Sequence, residues 1–211
     1  MSAFIRVFLL LSFYAALHSL LLRPEVKLVF EALLGQRAFR GFFRLVYNVV
    51  AVVLFALFLG YVAGLPDATI VEIYGLGAWI LLILRLTGVG VVIWALQTHG
   101  FLAWLGVENF RSWRRGADPR KEGIDGSRLV TRGPYRWVRN PMYSGALLFL
   151  WSVPGWTVNY LAFVLAATLY LWVGSLHEET RLRSDYGKSY EDYAASTPRF
   201  APHVLSFGRR R

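Results

Sequence analysis

The amino-acid sequence predicts an all-α fold: a polytopic membrane bundle of about five transmembrane helices with a polar cap at one membrane face. Of 211 residues, 56% are hydrophobic and 16% aromatic. The charged residues, 17% of the chain, are gathered into short stretches between apolar runs. These runs reach about 20 residues, the length of helix that crosses the hydrocarbon layer of a bilayer. A soluble domain would interleave its charged and apolar residues instead.

Five apolar runs form the predicted spans, which are Phe4–Leu22, Leu45–Ala63, Ile73–Leu96, Met142–Val153 and Thr157–Leu176. The first run lacks a small-residue cleavage site before Arg23, so it is interpreted as a span and not as a signal peptide. The fourth is short, and Pro154-Gly155 joins it to the fifth, which predicts a tight helical hairpin. Residues 97–141 and 177–211 are predicted to form a cytoplasmic, cofactor-binding cap of a single domain that covers 1–211.

The distribution of Lys and Arg orients these spans. Arg23–Arg44 carries five such residues, Arg111–Arg139 nine and the tail from Arg181 seven, whereas the other connections carry only acids, Asp67 and Glu72, or no charge. By the positive-inside rule the N-terminus is outside and the C-terminus cytoplasmic, which agrees with an odd number of spans. The sequence therefore predicts an integral membrane protein, of the inner (plasma) membrane of a prokaryote.

Charge and residue usage exclude several classes of function. The formal charge of +10 is explained by the positive-inside rule, so no nucleic-acid partner is expected. The absence of cysteine excludes disulfides, thiolate metal ligands and a cysteine nucleophile. The four histidines, at positions 18, 99, 177 and 203, lack the spacing of a metal site, and no metal is expected.

Polar residues of the spans fall near the cytoplasmic ends of the predicted helices. They come from all five spans, and they are His18, Asn48, Gln97, His99, Asn140, Tyr143, His177, Glu178 and Glu179. We expect these groups to meet at one depth, where a water-soluble cofactor can meet a lipophilic substrate. The alternative is that helix ends are polar simply because they contact lipid headgroups.

The most informative segment is Gly133-Pro-Tyr-Arg-Trp-Val-Arg-Asn-Pro-Met-Tyr-Ser-Gly145. Asn140 followed by Pro141 predicts an N-cap and the first turn of a helix, whose amide donors attract an anion such as the carboxylate of an amino-acid-like cofactor. Arg136 and Arg139 add positive charge there, and Gly145 permits close approach of a ligand or a neighbouring helix. A capped helix start with snorkelling arginines is the structural alternative.

Two adjacent carboxylates, Glu178 and Glu179, close the fifth span. They project about 100° apart on a helix, so one of them can face the bundle and hold ribose hydroxyls or an ammonium group. Alternatively, pairs with Arg181 and Arg183 have the spacing of ordinary helix-surface ion pairs. Arg85 lies in the middle of the third span, where a charge costs about 2.5–3.5 kcal/mol, so we expect it to face the interior or an anionic headgroup or substrate.

With these residues the chain resembles the isoprenylcysteine carboxyl methyltransferase-like superfamily of membrane methyltransferases, which includes phospholipid N-methyltransferases. The segment 133–145 resembles the family's first motif, G-x-Y-x-x-x-R-H-P-x-Y-x-G. A second set of residues resembles the motif that ends the family's sequences, namely Glu178-Glu179, Tyr186-Gly187, Tyr190, Tyr193 and Pro198-Arg-Phe. The resemblance implies S-adenosylmethionine as cofactor, with contacts from Tyr135, Arg139, Asn140, Pro141, Tyr143, Gly145, and Glu178 or Glu179.

The N-terminal half resembles one branch of that superfamily. His18-Ser-Leu-Leu and Arg44-Leu-Val-Tyr-Asn48 are similar to the methanethiol S-methyltransferases and related denitrification-associated membrane proteins. This resemblance implies methyl transfer to a small thiol or lipophilic acceptor among membrane lipids. A thiol must lose a proton, for which His18, His99 or His177 is the available base, and Arg85 is a further candidate for the catalytic site.

One departure from the family pattern leaves alternatives open. Asn140 stands where the first motif usually has a histidine, so this position cannot titrate or transfer a proton. A non-catalytic accessory protein with the same fold, a phospholipid or isoprenylcysteine methyltransferase, and an NADPH-dependent reductase resembling the membrane sterol reductases are the competing interpretations.

Overall fold

A computed structural model describes residues 1–119 and 129–202, and within these it is a helical membrane protein. Four helices are long and apolar enough to cross a membrane, namely α1 (Ala3–Leu21), α3 (Gln36–Ala63), α4 (Gly75–His99) and α8 (Val158–Tyr186). The predicted polytopic helical fold is confirmed. Residues 120–128 and 203–211 of the predicted cap, with His203, lie outside the described residues.

Shorter elements connect the long helices. They are α2 (Pro24–Leu34), β1 (Thr69–Glu72), α5 (Phe101–Leu105), α6 (Val107–Arg114), a 3-10 turn (Gly133–Arg136), α7 (Pro141–Trp151), β2 (Gly155–Thr157) and α9 (Lys188–Ser196).

Two of the long helices extend beyond the predicted spans. The second begins at Gln36 instead of Leu45, and the last continues to Tyr186 instead of ending at Leu176. Hydropathy marks where the apolar layer ends, whereas a helix continues through Arg and Glu, which are good helix formers. Both extensions end at a glycine with positive φ, Gly35 at 78° and Gly187 at 51°, a conformation that other residues rarely adopt.

The connection between the last two predicted spans is a strand and not a tight helical turn. α7 ends at Trp151, and β2 pairs with β1 in a two-stranded sheet that the sequence did not predict. Because a proline disfavours helical backbone in the residue before it, the chain leaves the helix ahead of Pro154. The amide of Ile73 then donates to the Pro154 carbonyl at 2.8 Å. The start of α4 and the end of α7 are therefore adjacent.

The chain divides into two compact units. The first contains residues 1–70, 100–119 and 157–167, and its core is formed by α1, α3 and the first turns of α8, with Val7, Leu11, Phe58, Ala162 and Ala166 buried. α6 packs along the first turns of α3, where Gly41 lies against Trp113 and Arg44 donates to the Trp104 carbonyl at 2.9 Å.

The second unit contains residues 71–99, 129–156 and 168–202. Its centre is the antiparallel pair of α4 and α7, which touch backbone to backbone at Gly88 and Gly145. A Cβ atom on Gly145 would lie 2.6 Å from the Gly88 carbonyl oxygen, and one on Gly88 would lie 2.6 Å from the Gly145 carbonyl oxygen. Although α7 is only 11 residues long, or about 16 Å, this contact holds it against a full span.

The glycine contact leads to a stability prediction. We expect Gly145→Ala and Gly88→Ala each to lower the free energy of unfolding by about 1–3 kcal/mol, because backbone atoms cannot move aside as a flexible side chain can. Thermal denaturation of the purified protein in detergent measures this. Gly90→Ala is the matched control: a Cβ there has no atom within 4 Å, so its melting temperature should be unchanged or raised. Equal loss in all three variants would contradict the close contact.

Asp67 caps the first turn of α8 from a neighbouring segment. Its Oδ1 accepts from the Asn159 amide at 3.0 Å and from the Ala68 amide at 2.9 Å, and the Asn159 side chain donates to the Pro66 carbonyl at 3.1 Å. Burial raises the pKa of the Asp67 carboxyl, but hydrogen bonds from Thr157 and from these amides more than offset it, so the pKa is lowered.

A pH-dependent stability follows from the Asp67 cap. We expect Asp67→Ala to lower the free energy of unfolding at pH 7 by about 0.5–2 kcal/mol. The pKa of Asp67 is lower in the folded protein than in the unfolded chain, where it is near 3.8. The stabilisation by the cap is therefore present above pH 3.8 and is lost as the pH falls through the folded pKa. Melting temperatures of both proteins measured between pH 7 and pH 3 should therefore converge. Asp118→Ala, which removes an exposed carboxylate 3.9 Å from Arg37, should differ little from wild type at any pH.

Candidate functional site

A buried carboxylate, Glu179 on α8, organises the candidate site in the second unit. Its side chain is 1% exposed and accepts five hydrogen bonds. Oε1 accepts from Arg139 Nε at 3.2 Å, Asn140 Nδ2 at 3.1 Å and Arg199 Nε at 2.9 Å. Oε2 accepts from Arg139 Nη2 at 3.3 Å and Arg199 Nη2 at 2.9 Å. An ionised carboxylate offers about four lone-pair positions, so the acceptor capacity of Glu179 is fully used.

Arg139 is committed to the same junction. Besides its bonds to Glu179, its Nη1 donates to the Ala194 carbonyl at 2.7 Å and to the Thr197 carbonyl at 2.8 Å. These carbonyls lie at the C-terminal end of α9, where helix carbonyls lack intrahelical partners and attract a cation. Arg139 thus ties the start of α7 to both α8 and α9.

A second link runs through the backbone. The segment Thr197–Phe200, which we name the C-terminal strap, lies beside the residues that precede α7. The Arg139 amide donates to the Pro198 carbonyl at 2.8 Å, and the Asn140 amide donates to the Arg199 carbonyl at 3.1 Å. The Phe200 ring packs on Trp172 of α8, with 5.6 Å between centroids. The strap therefore holds the start of α7 by main-chain and side-chain contacts.

Asn140 and Pro141 begin α7 as predicted, but the Asn140 side chain makes no cap hydrogen bond to the helix. Its amide nitrogen donates to Glu179 Oε1 at 3.1 Å, so the side chain is directed to α8 and not to the first turn of α7. The Asn140 carbonyl accepts from the Ser144 amide at 2.9 Å. The start of α7 and the end of α8 therefore meet directly.

The neighbouring carboxylate, Glu178, faces a different environment. Its side chain is 36% exposed, and one oxygen accepts from Arg181 at 2.6 Å, so the predicted surface pair is present. Its negative charge also acts on the hydroxyl groups of Tyr135 and Tyr143. The Tyr143 hydroxyl lies against Gly174, one helical turn before Glu178, where a Cβ would be 3.6 Å from it.

Tyr135 lies in the 3-10 turn before α7, and its backbone carbonyl accepts from the Tyr193 hydroxyl at 2.6 Å. Burial raises the pKa of the Tyr135 hydroxyl, and the charges of Tyr193 and Glu178 raise it further. Burial likewise raises the pKa of Tyr193. Both phenols are therefore neutral hydrogen-bonding groups at neutral pH. Glu178, Tyr135 and Tyr143, the three side chains of the two motif segments whose charges or hydroxyls influence one another, are here called the Glu178 group.

The remaining residues of the first motif pack inside the protein. Pro141 and Gly145 are buried, and the neighbour that Gly145 approaches is α4. Arg85 of α4 does face α7, but the partner of its guanidinium is the Phe149 ring, 4.1 Å from the centroid. Phe149 is nine residues beyond Asn140, or about 13 Å along the helix, so Arg85 is not part of the Glu178 group.

The predicted histidines occupy different places. His18 belongs to the first unit, where its Nε2 lies 2.6 Å from the Tyr47 hydroxyl and its ring stacks near Tyr14. His177 is exposed on α8, about 160° around the helix from Glu179. His99 is the last residue of α4, and its side chain is not among those described. Within residues 1–119 and 129–202, no group of three His, Asp or Glu side chains is placed to hold a metal ion.

Three residues that shape the site were assigned no role from the sequence, although Tyr193 and Arg199 belong to the closing motif. Arg199 supplies two of the five bonds to Glu179, Tyr193 fixes the turn that carries Tyr135, and Gly174 makes room for Tyr143. The signal for Arg199 was present in the Pro198-Arg-Phe match to the family's closing motif, although no role followed from it. Nothing in the local sequence marks Gly174, because its importance depends on a residue of another helix.

Removal of the central carboxylate gives a test of this arrangement. We expect Glu179→Ala to lower the free energy of unfolding by about 3–5 kcal/mol, because Arg139 and Arg199 would be left without their counter-charge. Glu178→Gln, which changes the adjacent and partly exposed carboxylate, should cost at most about 1 kcal/mol. Thermal denaturation in detergent compares the two, and a similar melting temperature for both variants would contradict the central role of Glu179.

Comparison with known proteins places this chain in a family. The family model described as phospholipid methyltransferase matches residues 76–189, more than half of the chain. Methanethiol S-methyltransferase 2 of Bradyrhizobium diazoefficiens is 28% identical over 204 residues, which cover 96% of this chain and 74% of that protein. Methanethiol S-methyltransferase of Pseudomonas deceptionensis is 29% identical over 197 residues, which cover 93% of this chain and 71% of that protein.

A third relative matches only part of the chain. A probable protein-S-isoprenylcysteine O-methyltransferase of Oryza sativa subsp. indica is 36% identical over 84 residues, or 38% of this chain and 44% of that protein. No match to a solved structure was found. The matched region of the family model contains α4, α7, α8, Asn140 and both carboxylates. The chain therefore belongs to the phospholipid methyltransferase family, and it is a membrane methyltransferase.

Proposed function

We propose that this protein is an S-adenosylmethionine-dependent methyltransferase that acts on a small thiol or another lipophilic acceptor at the cytoplasmic membrane face. The observation that carries the proposal is the junction of Asn140 with Glu179. It joins the two motif-bearing segments, 133–145 and 178–200, and leaves the Glu178 group beside them. The likeness to methanethiol S-methyltransferases over nearly the whole chain supports the class of acceptor.

The chemistry of the Glu178 group suits this cofactor. The carboxylate of Glu178 is bonded to Arg181, and Arg139 and Arg199 bind Glu179 instead. Glu178 can therefore accept hydrogen bonds from ribose hydroxyls or an ammonium group. The Tyr135 and Tyr143 rings offer flat apolar surfaces for an adenine ring, and their neutral hydroxyls donate and accept. The start of α7 presents backbone amides that attract a carboxylate. Arg139 and Glu179, whose bonds are satisfied within the protein, would hold these groups in place.

Methyl transfer requires alignment of the reactants and exclusion of water more than it requires acid–base catalysis. Bound S-adenosylmethionine supplies an electrophilic methyl group attached to a positively charged sulfur. Tyr135 and Tyr143, both largely buried, would exclude water from that sulfur. Asn140 cannot take up a proton, so its part is to hold Glu179 and the start of α7.

A thiol acceptor reacts as its thiolate, so a base near the acceptor accelerates the reaction. His18, His99 and His177 remain the candidate bases, and Arg85 a candidate contact for the acceptor. His177 is exposed and is adjacent to Glu178 in α8. Phospholipid and isoprenylcysteine acceptors are the alternatives suggested by the names of the family and of the rice relative.

The proposed orientation follows from charge. The N-terminus is placed outside and the C-terminus in the cytoplasm of a prokaryotic inner membrane, because all Lys and Arg except Arg6 and Arg85 then lie on the cytoplasmic side. In this orientation the start of α7 and the end of α8 lie at the cytoplasmic face. The cofactor would enter from the cytoplasm and the acceptor from the cytoplasm or the bilayer.

Binding and turnover of labelled S-adenosylmethionine test the proposal. We expect the purified protein to bind the cofactor in calorimetry and to transfer the labelled methyl group to methanethiol. Glu178→Gln should weaken binding at least about tenfold, because a hydrogen bond to a charged group is worth about 1.5–3 kcal/mol. Tyr143→Phe should also weaken binding, since it removes a hydroxyl.

Glu191→Gln, which neutralises an exposed carboxylate on α9, is the control and should bind as wild type. Unchanged affinity in Glu178→Gln would refute the assignment of that residue. Methyl transfer to a phospholipid or to an isoprenylcysteine, with none to methanethiol, would replace the proposed acceptor. Binding of NADPH without binding of S-adenosylmethionine would refute the methyl-donor assignment.

A further inference from the structure

The two ligand candidates with the most protein contacts, Arg139 and Glu179, have little capacity left for a ligand. Arg139 directs four N–H donors to Glu179 and to the last carbonyls of α9, and Glu179 accepts five hydrogen bonds. A cofactor that bound either group would have to displace charge-assisted bonds at a buried site. Their bonding geometry indicates that they hold the neighbouring residues of the site in place and do not contact the cofactor themselves.

We propose that Arg199 is a positioning residue of the cofactor site, which acts through Glu179 on the start of α7 and on the orientation of Glu178. This inference rests on the proposed function and deepens it. Arg199 does not have to touch the cofactor: it holds the carboxylate that Asn140 also binds. The C-terminal strap thereby becomes part of the cofactor site.

The geometry of the Arg199–Glu179 pair fixes the orientation of the Glu179 carboxylate. Nε and Nη2 of Arg199 each bind a different oxygen of Glu179 at 2.9 Å, so the pair is bidentate and fixes the plane of the carboxylate. Glu178 is the neighbour of Glu179 on α8 and projects about 100° away from it, so the contact holds the helical turn that carries both carboxylates. The Arg199 guanidinium also lies 5.7 Å from the centre of the Trp172 ring, about two turns of α8 before Glu179.

Loss of the Arg199 side chain should leave the strap attached. Its main-chain bonds to Arg139 and Asn140 do not involve the guanidinium, the Phe200 ring still packs on Trp172, and Arg139 still neutralises Glu179. The substituted protein therefore keeps its fold, but Glu179 is then bonded through both carboxylate oxygens to Arg139 and no longer to Arg199. An effect on cofactor binding can thus be measured apart from loss of the fold.

The experiment uses Arg199→Ala and Arg199→Lys in the full-length protein. We expect Arg199→Ala to raise the dissociation constant and the KM for S-adenosylmethionine about 10- to 100-fold, by analogy with the loss caused by removing a residue that orients a metal ligand. The kcat at saturating cofactor should change much less. Arg199→Lys should recover part of the affinity, since lysine keeps the charge but not the bidentate contact.

Arg183→Ala is the matched control. Arg183 also carries a positive charge near Glu179, but its nitrogen is 3.9 Å from the carboxylate and 52% of its side chain is exposed. We expect this variant to bind the cofactor with wild-type affinity. If Arg183→Ala and Arg199→Ala weaken binding equally, the effect is one of net charge and the proposal is overturned. Wild-type affinity in Arg199→Ala, with or without a lower melting temperature, overturns it as well.

A ligand-free measurement distinguishes failure of this inference from failure of the proposed function. In Arg199→Ala the Arg139 and Asn140 amides keep their main-chain bonds but should open more often, because Glu179 is held less firmly, so their hydrogen exchange should accelerate. Exchange should remain unchanged in Arg183→Ala. If the wild-type protein binds no S-adenosylmethionine, the proposed function fails and the cofactor part of the inference fails with it. Unchanged exchange in Arg199→Ala would show that Arg199 does not fix the start of α7, whatever the ligand.

Discussion

A carboxylate inside a bundle of apolar helices must be compensated, and the compensation of Glu179 determines how the second unit is built. An unpaired charge in such a place costs several kcal/mol, so the surrounding chain must supply donors. They come from residues that precede α7 and from the C-terminal strap, namely Arg139, Asn140 and Arg199. Segments that are 40 and 20 residues away in sequence are thereby drawn to one point on α8. Once they meet there, the position of α7 is largely determined.

The other end of α7 is set by a different force. Gly88 and Gly145 allow the backbones of α4 and α7 to touch, and in an apolar solvent such close van der Waals contact is a main source of helix association. Hydrogen bonds to Glu179 fix the position of the start of α7. The two glycines, which have no side chains, set the short distance between α7 and α4. Ile73 and Pro154 then join the far ends of the two helices. A helix of only 11 residues is held at both ends and along its length.

Sequence reasoning could find the spans because hydropathy is a local property, and it could find the two motif segments because their residues are adjacent. It placed the start of α7 at Asn140-Pro141 correctly, since proline restricts the backbone locally. It could not decide which of Glu178 and Glu179 turns inward, because both have helix-surface partners at suitable spacing. Nor could it predict β1 with β2 or the contact of Gly174 with Tyr143, which depend on residues far apart in the chain.

The two adjacent carboxylates have different surroundings, and this difference bears on the proposed cofactor site: Glu179 is buried among arginines, whereas Glu178 is partly exposed. If Glu179 depended on a ligand for its counter-charge, a buried negative charge would be left without a partner whenever the ligand dissociated. Glu179 is instead paired with Arg139 and Arg199 inside the protein, so the junction does not need a ligand to neutralise it, and under the proposed function only Glu178 would change partners. Arg181 pairs with Glu178 at the helix surface, where water also solvates both charges. A site that is already organised loses less freedom when the cofactor binds, so binding is stronger for the same number of contacts.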